Sequence, residues 1–341
     1  MSRTPNRKNG RRPGLPDMPF SDPFRRWSAG LGLRVGAIFA GGILLINSAA
    51  LWEPSDPADL ESDVIPRVVE LAPTLVLPSD VNERVDEWMG RYLTTNRPAF
   101  ERFLAREGLY SGMIRQKLRE RGMPEDLLYM VLVESGFSTR ARSRVSATGL
   151  WQFMGPTARE YGLRIDEYVD ERRDPIRATD AALDYLGKLY ERFGSWYLAA
   201  AAYNAGPSRV ARALRRHDGI GQDDGELYWE VVDHLPLETR EYVPKILAAT
   251  LLARDAVRYG FNVVRADPYR FDRVWVPGGT SLRTVAQALD LPLSLVRDLN
   301  PHLILGMTPL GTSYGVRVPP GRSADVVAFL GSGRSTRSVD D

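Results

Sequence analysis

Glu134 closes an apolar run, Leu127-Leu128-Tyr129-Met130-Val131-Leu132-Val133, and Ser135-Gly136-Phe137 follows it directly. An acid in that setting is costly to ionise, and a carboxyl that stays protonated near neutral pH serves as a general acid. After Glu134 no Asp or Glu occurs until Glu160, and Gly149-Leu150-Trp151-Gln152-Phe153-Met154 lies between them. One isolated acid, then a polar loop and an aromatic segment, suits cleavage of a glycosidic bond by a single carboxyl. The plain alternative is a helix-end carboxylate facing solvent, since acids are seldom buried without a reason.

The elements that must position this acid read as helices. From Val81 to about Asp267, apolar residues recur at spacings of three and four, as in Val85, Trp88, Met89 and Tyr92. Pro124 with Glu125 and Asp126 marks a helix start, and Gly136 suits its end. Thr179 to Phe193 forms a second helix, Ser195 to Ala205 an alanine-rich one stopped by Gly206, and Pro244 to Val257 a further apolar one. The tract Ala199 to Ala202 serves close helix packing. No strong two-residue alternation appears, so residues 81–268 are expected to form an all-α domain. Near Phe271 the character changes. Val274-Trp275-Val276 reads as a strand, Ser281 caps a helix containing Val285, Ala286 and Leu289, a short helix covers Leu293 to Leu299, and Tyr314 to Pro319 is a return strand. Residues 269–320 thus read as a small α+β module of βααβ order, and 321–341 as a disordered tail.

The chain has 341 residues, 43% of them apolar and 26% charged, with a net charge of +2. One or two folded domains plus appendages fit this length. Residues 1–52 hold eight Arg or Lys and two Asp, a net of +6, which leaves −4 for the rest. Nothing in the folded part suggests a nucleic-acid surface. The basic arm, 1–34, precedes an apolar run, 35–52, about long enough to span a bilayer. It reads as a transmembrane anchor or a signal helix, and its length favours the anchor although Ser48-Ala49-Ala50 resembles a cleavage site. Basic residues ahead of it predict an exported remainder. Residues 53–80, rich in Pro and Asp, form a linker. With no cysteine there is neither a disulfide framework nor a Cys-ligated metal. His217, His234 and His302 are scattered without metal-ligand spacing and read as surface or capping residues. No phosphate loop occurs, and no cofactor or metal is expected. Asp170 to Asp174 reads as a salt-bridged turn.

The ordered motifs of the helical part resemble the SLT family of lytic transglycosylases, a lysozyme-like fold, and within it the membrane-bound D type. They are Glu134-Ser135-Gly136-Phe137; Ser143 with Ala147-Thr148-Gly149-Leu150-Trp151-Gln152-Phe153-Met154; Pro156-Thr157-Ala158; Asp170-Glu171-Arg172-Arg173-Asp174-Pro175; Ala201-Ala202-Tyr203-Asn204-Ala205-Gly206; and Leu235 to Lys245. The C-terminal module resembles a LysM domain in Leu299-Asn300-Pro301 and Val316-Arg317-Val318-Pro319-Pro320. Gly278-Gly279-Thr280-Ser281-Leu282 lacks the acidic position of that family's Gly-Asp-Thr-Leu.

The resemblance implies a periplasmic enzyme acting on peptidoglycan glycan strands and held at the membrane by residues 35–52. Glu134 would act as acid and then base, and the product would be a 1,6-anhydromuramoyl end. Ser143 and Gln152 would bind substrate beside the cleaved bond, and Phe153 and Met154 would form the cleft wall. The Tyr203 hydroxyl would bond the acid or the substrate acetamido group, Asn204 would position the loop or a sugar, and Tyr242 would approach the acid. Trp151 reads as core. Two other readings stand beside this one: a glycan-binding scaffold without catalysis, and a hydrolase of the goose-type lysozyme kind.

Overall fold

The computed structural model describes residues 82–217 and 226–335, all within one compact unit. The arm, the apolar run 35–52 and the linker lie outside the described residues. Among the described residues no helix is long and apolar enough to cross a membrane.

The helical part contains α1 (Glu83–Leu93), α2 (Arg97–Glu120), α3 (Leu128–Ser135), α4 (Gly155–Glu160), α5 (Pro175–Phe193), α6 (Trp196–Ala205), α7 (Pro207–Leu214), α8 (Glu226–Val231) and α9 (Leu237–Arg254). Caps begin several of them: Asn82, Asp174 and Ser195 each accept backbone N–H groups with their side chains. Leu128 to Leu132 are all buried, so α3 is apolar all round and sits at the centre of the core. Gly136 ends it in the left-handed conformation, φ 57°, with the Phe103 ring where a Cβ would lie. α9 packs on α1, α3 and α6, and the buried tract Ala199 to Ala202 lets α6 lie close to its neighbours.

α9 starts earlier than the expected Pro244, and that proline lies inside it. A mid-helix proline has no N–H to give to the carbonyl four residues back. The Tyr228 hydroxyl donates to that freed Arg240 carbonyl at 3.3 Å, and the helix continues. Tyr242 is thereby helical and buried.

A second core belongs to the C-terminal module: β1 (Asp272–Val276), α10 (Leu282–Leu289), α11 (Leu293–Leu299) and β2 (Tyr314–Val318). β1 and β2 pair antiparallel, with Asp272 opposite Val318 and Trp275 opposite Gly315. Asn300 closes α11 onto β2, its carboxamide bonding both the N–H and the carbonyl of Arg317. The βααβ order is as expected, but the tail is not. Ser323–Ser335 forms α12, with Val326 fully buried and Leu330, four residues on, packed against the same core. The Ser, Gly and Arg content of this segment conceals that apolar pair.

The two cores meet at a seam. Val169 sits in the second core. The Asp170 N–H donates to the His302 carbonyl at 2.9 Å, and the Ile304 N–H to the Tyr168 carbonyl at 3.0 Å. Arg317 pairs with Asp174 at 2.5 Å, both almost fully buried. His302 is buried beside them, 3.7 Å from Asp174, and not at the surface as its isolation in sequence suggested.

Candidate active site

Glu134 occupies the last turn of α3, where the core ends. Burial of its carboxyl raises the pKa from 4.5 to about 7. The Tyr242 hydroxyl opposes that rise by donating to Glu134 Oε1 at 2.6 Å. Glu238 adds to the rise and Lys245 opposes it. Glu238 and Lys245 stand four residues before and three after Tyr242, one helical turn either way along α9. Both belong to the Leu235–Lys245 motif, and their spacing from Tyr242 was the available signal for their place beside the acid. Burial, together with the charge of Glu134, pushes the phenols of Tyr203 and Tyr242 well above their ordinary range, so both stay neutral donors.

The loop after α3 forms the second wall and is tied back to it. The Ser135 hydroxyl donates to the Leu150 carbonyl at 2.8 Å, and the Tyr203 hydroxyl to the Trp151 carbonyl at 2.8 Å. Trp151, fully buried as expected, donates its indole N–H to Thr179 at 3.0 Å. Thr148 and Phe153 exchange both backbone bonds. Gly149, φ 85°, would drive a Cβ into the Arg172 carbonyl at 1.8 Å, so the loop closes there only on glycine. Gln152 adopts φ 48°, rare for a side chain of its size. Its amide nitrogen donates to the carbonyls of Gly149 and Ala141, at 2.8 and 3.3 Å. Its carboxamide oxygen makes no hydrogen bond to the described residues.

The expected site residues divide. Glu134 and Tyr242 are in direct contact, and Tyr203 lies within reach of the acid's charge. The Tyr203 hydroxyl, however, is committed to the Trp151 carbonyl and not to Glu134. Ser143 and Gln152 lie half-buried on the loop, where the Ser143 hydroxyl accepts the Ala147 N–H at 3.0 Å. Met154 is 42% exposed, free to touch a ligand. Phe153 is 2% exposed and sets its ring edge-on to Tyr203 at 6.2 Å, so it supports the wall from behind. The Asn204 carboxamide oxygen accepts from the Thr239 hydroxyl at 2.8 Å, which fixes α6 to α9 and aligns their two tyrosines.

Arg172, in the sequence one residue of the Asp170–Pro175 motif, holds the loop in place. Its guanidinium pairs with both oxygens of Asp170, at 2.9 and 2.8 Å, and donates to the carbonyls of Ser146 and Phe153, at 3.0 and 3.2 Å. The expected salt-bridged turn is therefore also a clamp on the cleft wall. Among the described residues no cluster of His, Asp or Glu is arranged to hold a metal ion.

Residues 112–223 match the transglycosylase SLT domain, and residues 270–334 match the lytic transglycosylase MltD, LysM-like domain. Over 221 residues the chain is 33% identical to membrane-bound lytic murein transglycosylase D of Escherichia coli K12, covering 64% of this chain and 48% of that protein. Over 104 residues it is 36% identical to the peptidoglycan transglycosylase gp16 of Escherichia phage T7, covering 30% of this chain and 8% of that one. Among solved structures it is similar to the lytic transglycosylase Slt of Pseudomonas aeruginosa, with 27% identity and a TM-score of 0.37 over 44% of this chain and 24% of that one. The chain spans about half the length of the membrane-bound relatives it matches. The matched SLT segment ends before α9, which brings Tyr242 to the acid.

Proposed function

We propose that this chain, which carries an SLT domain and an MltD-type LysM-like domain and is homologous to membrane-bound lytic murein transglycosylase D, is a lytic transglycosylase of peptidoglycan. The observation that carries the reading is the Glu134 carboxyl, half-buried, bonded to a neutral phenol, and poised at a pKa of about 7. Near neutral pH such a group holds its proton part of the time and loses it readily, which a residue acting first as acid and then as base requires.

In this reading Glu134 protonates the oxygen that bridges N-acetylmuramic acid and N-acetylglucosamine. The bond to C1 breaks, and the substrate's own 2-acetamido group stabilises the cationic centre. The carboxylate, held by the Tyr242 hydroxyl, then takes the proton of the C6 hydroxyl as that oxygen closes on C1. The muramoyl end becomes a 1,6-anhydro sugar, and no water is consumed. Gln152, with its free carboxamide oxygen, and the exposed Met154 line the path of the strand, and Ser143 shapes the loop beneath it. The basic arm and apolar run of residues 1–52 support export and a periplasmic place at the membrane.

Hydrolysis is the second reading, favoured by one feature. Glu238 is an exposed carboxylate on the Tyr242 face of α9, near enough to influence Glu134. A second acid could activate water. Digestion of purified peptidoglycan by the full chain, with products weighed by mass spectrometry, separates the two. Anhydromuramoyl ends are expected, and loss of at least about a thousandfold in rate for Glu134→Gln. Reducing ends, heavier by one water and dependent on Glu238, would replace the lyase with a hydrolase. Binding without products would leave a scaffold.

A further inference from the structure

A groove of about 910 Å³ runs along the seam between the helical part and the LysM-like module. One wall is α2, through Arg106 and Tyr110, together with residues 137–140; the facing wall is α11, through Leu295 and Asp298, with Pro319 and Pro320. Asp267 and Arg270 edge it. Its charges are of both signs. Arg140 pairs with Asp298 across the seam at 2.7 Å. Arg106, Asp267 and Arg270 are exposed and make no ion pair with the described residues.

We infer that this groove binds the peptide stem of the substrate strand, an inference that rests on the peptidoglycan reading above. The stem is a short peptide on the lactyl group of muramic acid, with two or three carboxylates and one free ammonium. With Arg140 and Asp298 paired to each other, Arg106, Arg270 and Asp267 are left to face such a set, cations against carboxylates and one carboxylate against the ammonium. A bare glycan strand carries only one lactyl carboxylate per disaccharide and is gripped by exposed aromatic faces, whereas Tyr110 and Phe137 here are buried, 5% and 1% exposed.

Reach fits as well. The wall at 137–140 follows Glu134 by three to six residues, so it lies within about 20 Å of the acid, and a lactyl-tetrapeptide spans roughly 17 Å. The prolines and the exposed apolar side chain of Leu295 suit an extended backbone. The groove exists only where both modules meet, which makes the LysM-like module part of the substrate site and not a separate tether.

The test uses the full chain in detergent and the double variant Arg106→Glu/Arg270→Glu, whose exposed positions spare the core. Each digests peptidoglycan strands bearing stems and strands stripped of them by an amidase. The wild type is expected to cleave stem-bearing strands about fivefold or more faster, the worth of one or two exposed ion pairs. The variant loses that preference while its rate on stripped strands is unchanged. Equal preference in both proteins overturns the inference.

In parallel, a synthetic stem tetrapeptide and a neutral chito-tetrasaccharide are titrated into Glu134→Gln protein with and without the charge reversals. Reversal-sensitive binding of the peptide supports the site even if no strand is cleaved, in which case the catalytic reading alone has failed. Binding of the saccharide alone, or of neither, removes it.

Discussion

Burial penalises the charge of Glu134 and of Asp174 alike, yet the surroundings of these two carboxylates push them in opposite directions. Glu134, at the end of α3, has one direct partner, a neutral phenol, and burial raises its pKa to about 7. Asp174, at the seam, is also penalised by burial, but Arg317 beside it, together with His302 and the Arg177 N–H, outweighs the penalty and holds its pKa below the usual value of 3.8. Desolvation is common to both, so the partner decides. A phenol shares its hydrogen and leaves the proton free to move; a guanidinium fixes the negative charge permanently. The first arrangement suits chemistry at the expense of stability, and the second fastens two modules.

The largest effect is expected from breaking the seam. Arg317→Met strands the Asp174 charge in a buried site, and loss of one partner of a buried pair costs about 3–5 kcal/mol. Urea denaturation should show this, with Glu134 titrating as before. Asp174→Asn/Arg317→Met together should recover much of the loss, since no lone charge remains. If the double variant is as unstable as the single, the pair is not a self-contained fastening.

The next effect contrasts the two acids by pH. Glu134 has a folded pKa above its unfolded value of 4.5, so its contribution to stability is full below about pH 4.5 and is lost as pH rises through 7. Asp174 has the reverse sign: its contribution is present above about pH 4 and is lost as pH falls further. Glu134→Gln should therefore be more stable than the wild type at pH 8, by on the order of 3 kcal/mol, with the gap closing by pH 5. Asp174→Asn should instead be worse at pH 7 and approach the wild type only as pH falls below 3.8. Melting curves across that range settle both signs, and a Glu134→Gln curve parallel to the wild type would mean that the acid is not strained by burial.

Much of this contrast was readable in the residues, and the unread part has a physical cause. An apolar run ending in Glu and Gly marks both a buried helix and an acid at its rim, because burial of α3 is a local property of the pattern. The closing Asn-Pro of α11 was equally local. The seam was not, since Asp174 and Arg317 are 143 residues apart, and in sequence the first reads as part of a local salt-bridged turn and the second as part of the return-strand motif. His302 went the same way, its burial set by a chain segment outside its own pattern. Phe153 lies in a loop, where no periodicity tells inward from outward. Pro244 reads as a helix start until a distant tyrosine takes up the carbonyl it frees.

Tyr242→Phe tests the acid's own side of the comparison with a smaller effect. Without the phenol the ionised carboxylate loses a hydrogen bond worth about 1.5–3 kcal/mol, so the Glu134 pKa should climb by about one unit or more. Cleavage that needs the protonated acid falls as pH rises through that pKa, and the falling limb of the pH–rate profile should move up with it. The rate at the optimum should drop as well, because the second step needs the carboxylate and the carboxylate is now less stable. A limb that stays near pH 7 would mean that some group other than Glu134 governs it.

The smallest effect should appear where the two regions touch. The N–H of Asp170 pairs with the LysM-like loop, its carboxylate holds Arg172, and Arg172 holds the carbonyls of Ser146 and Phe153 in the cleft wall. Arg172→Lys keeps the charge but loses the planar fork that reaches both carbonyls and the carboxylate together. The loop carrying Ser143 and Gln152 should loosen, raising KM severalfold, by an amount near 1 kcal/mol per lost bond. The pH–rate limb should not move, since Arg172 has no part in the Glu134 pKa. That split makes Arg172 a positioning residue. If KM holds and the limb shifts instead, the seam reaches the acid itself, and the two carboxylates are not independent.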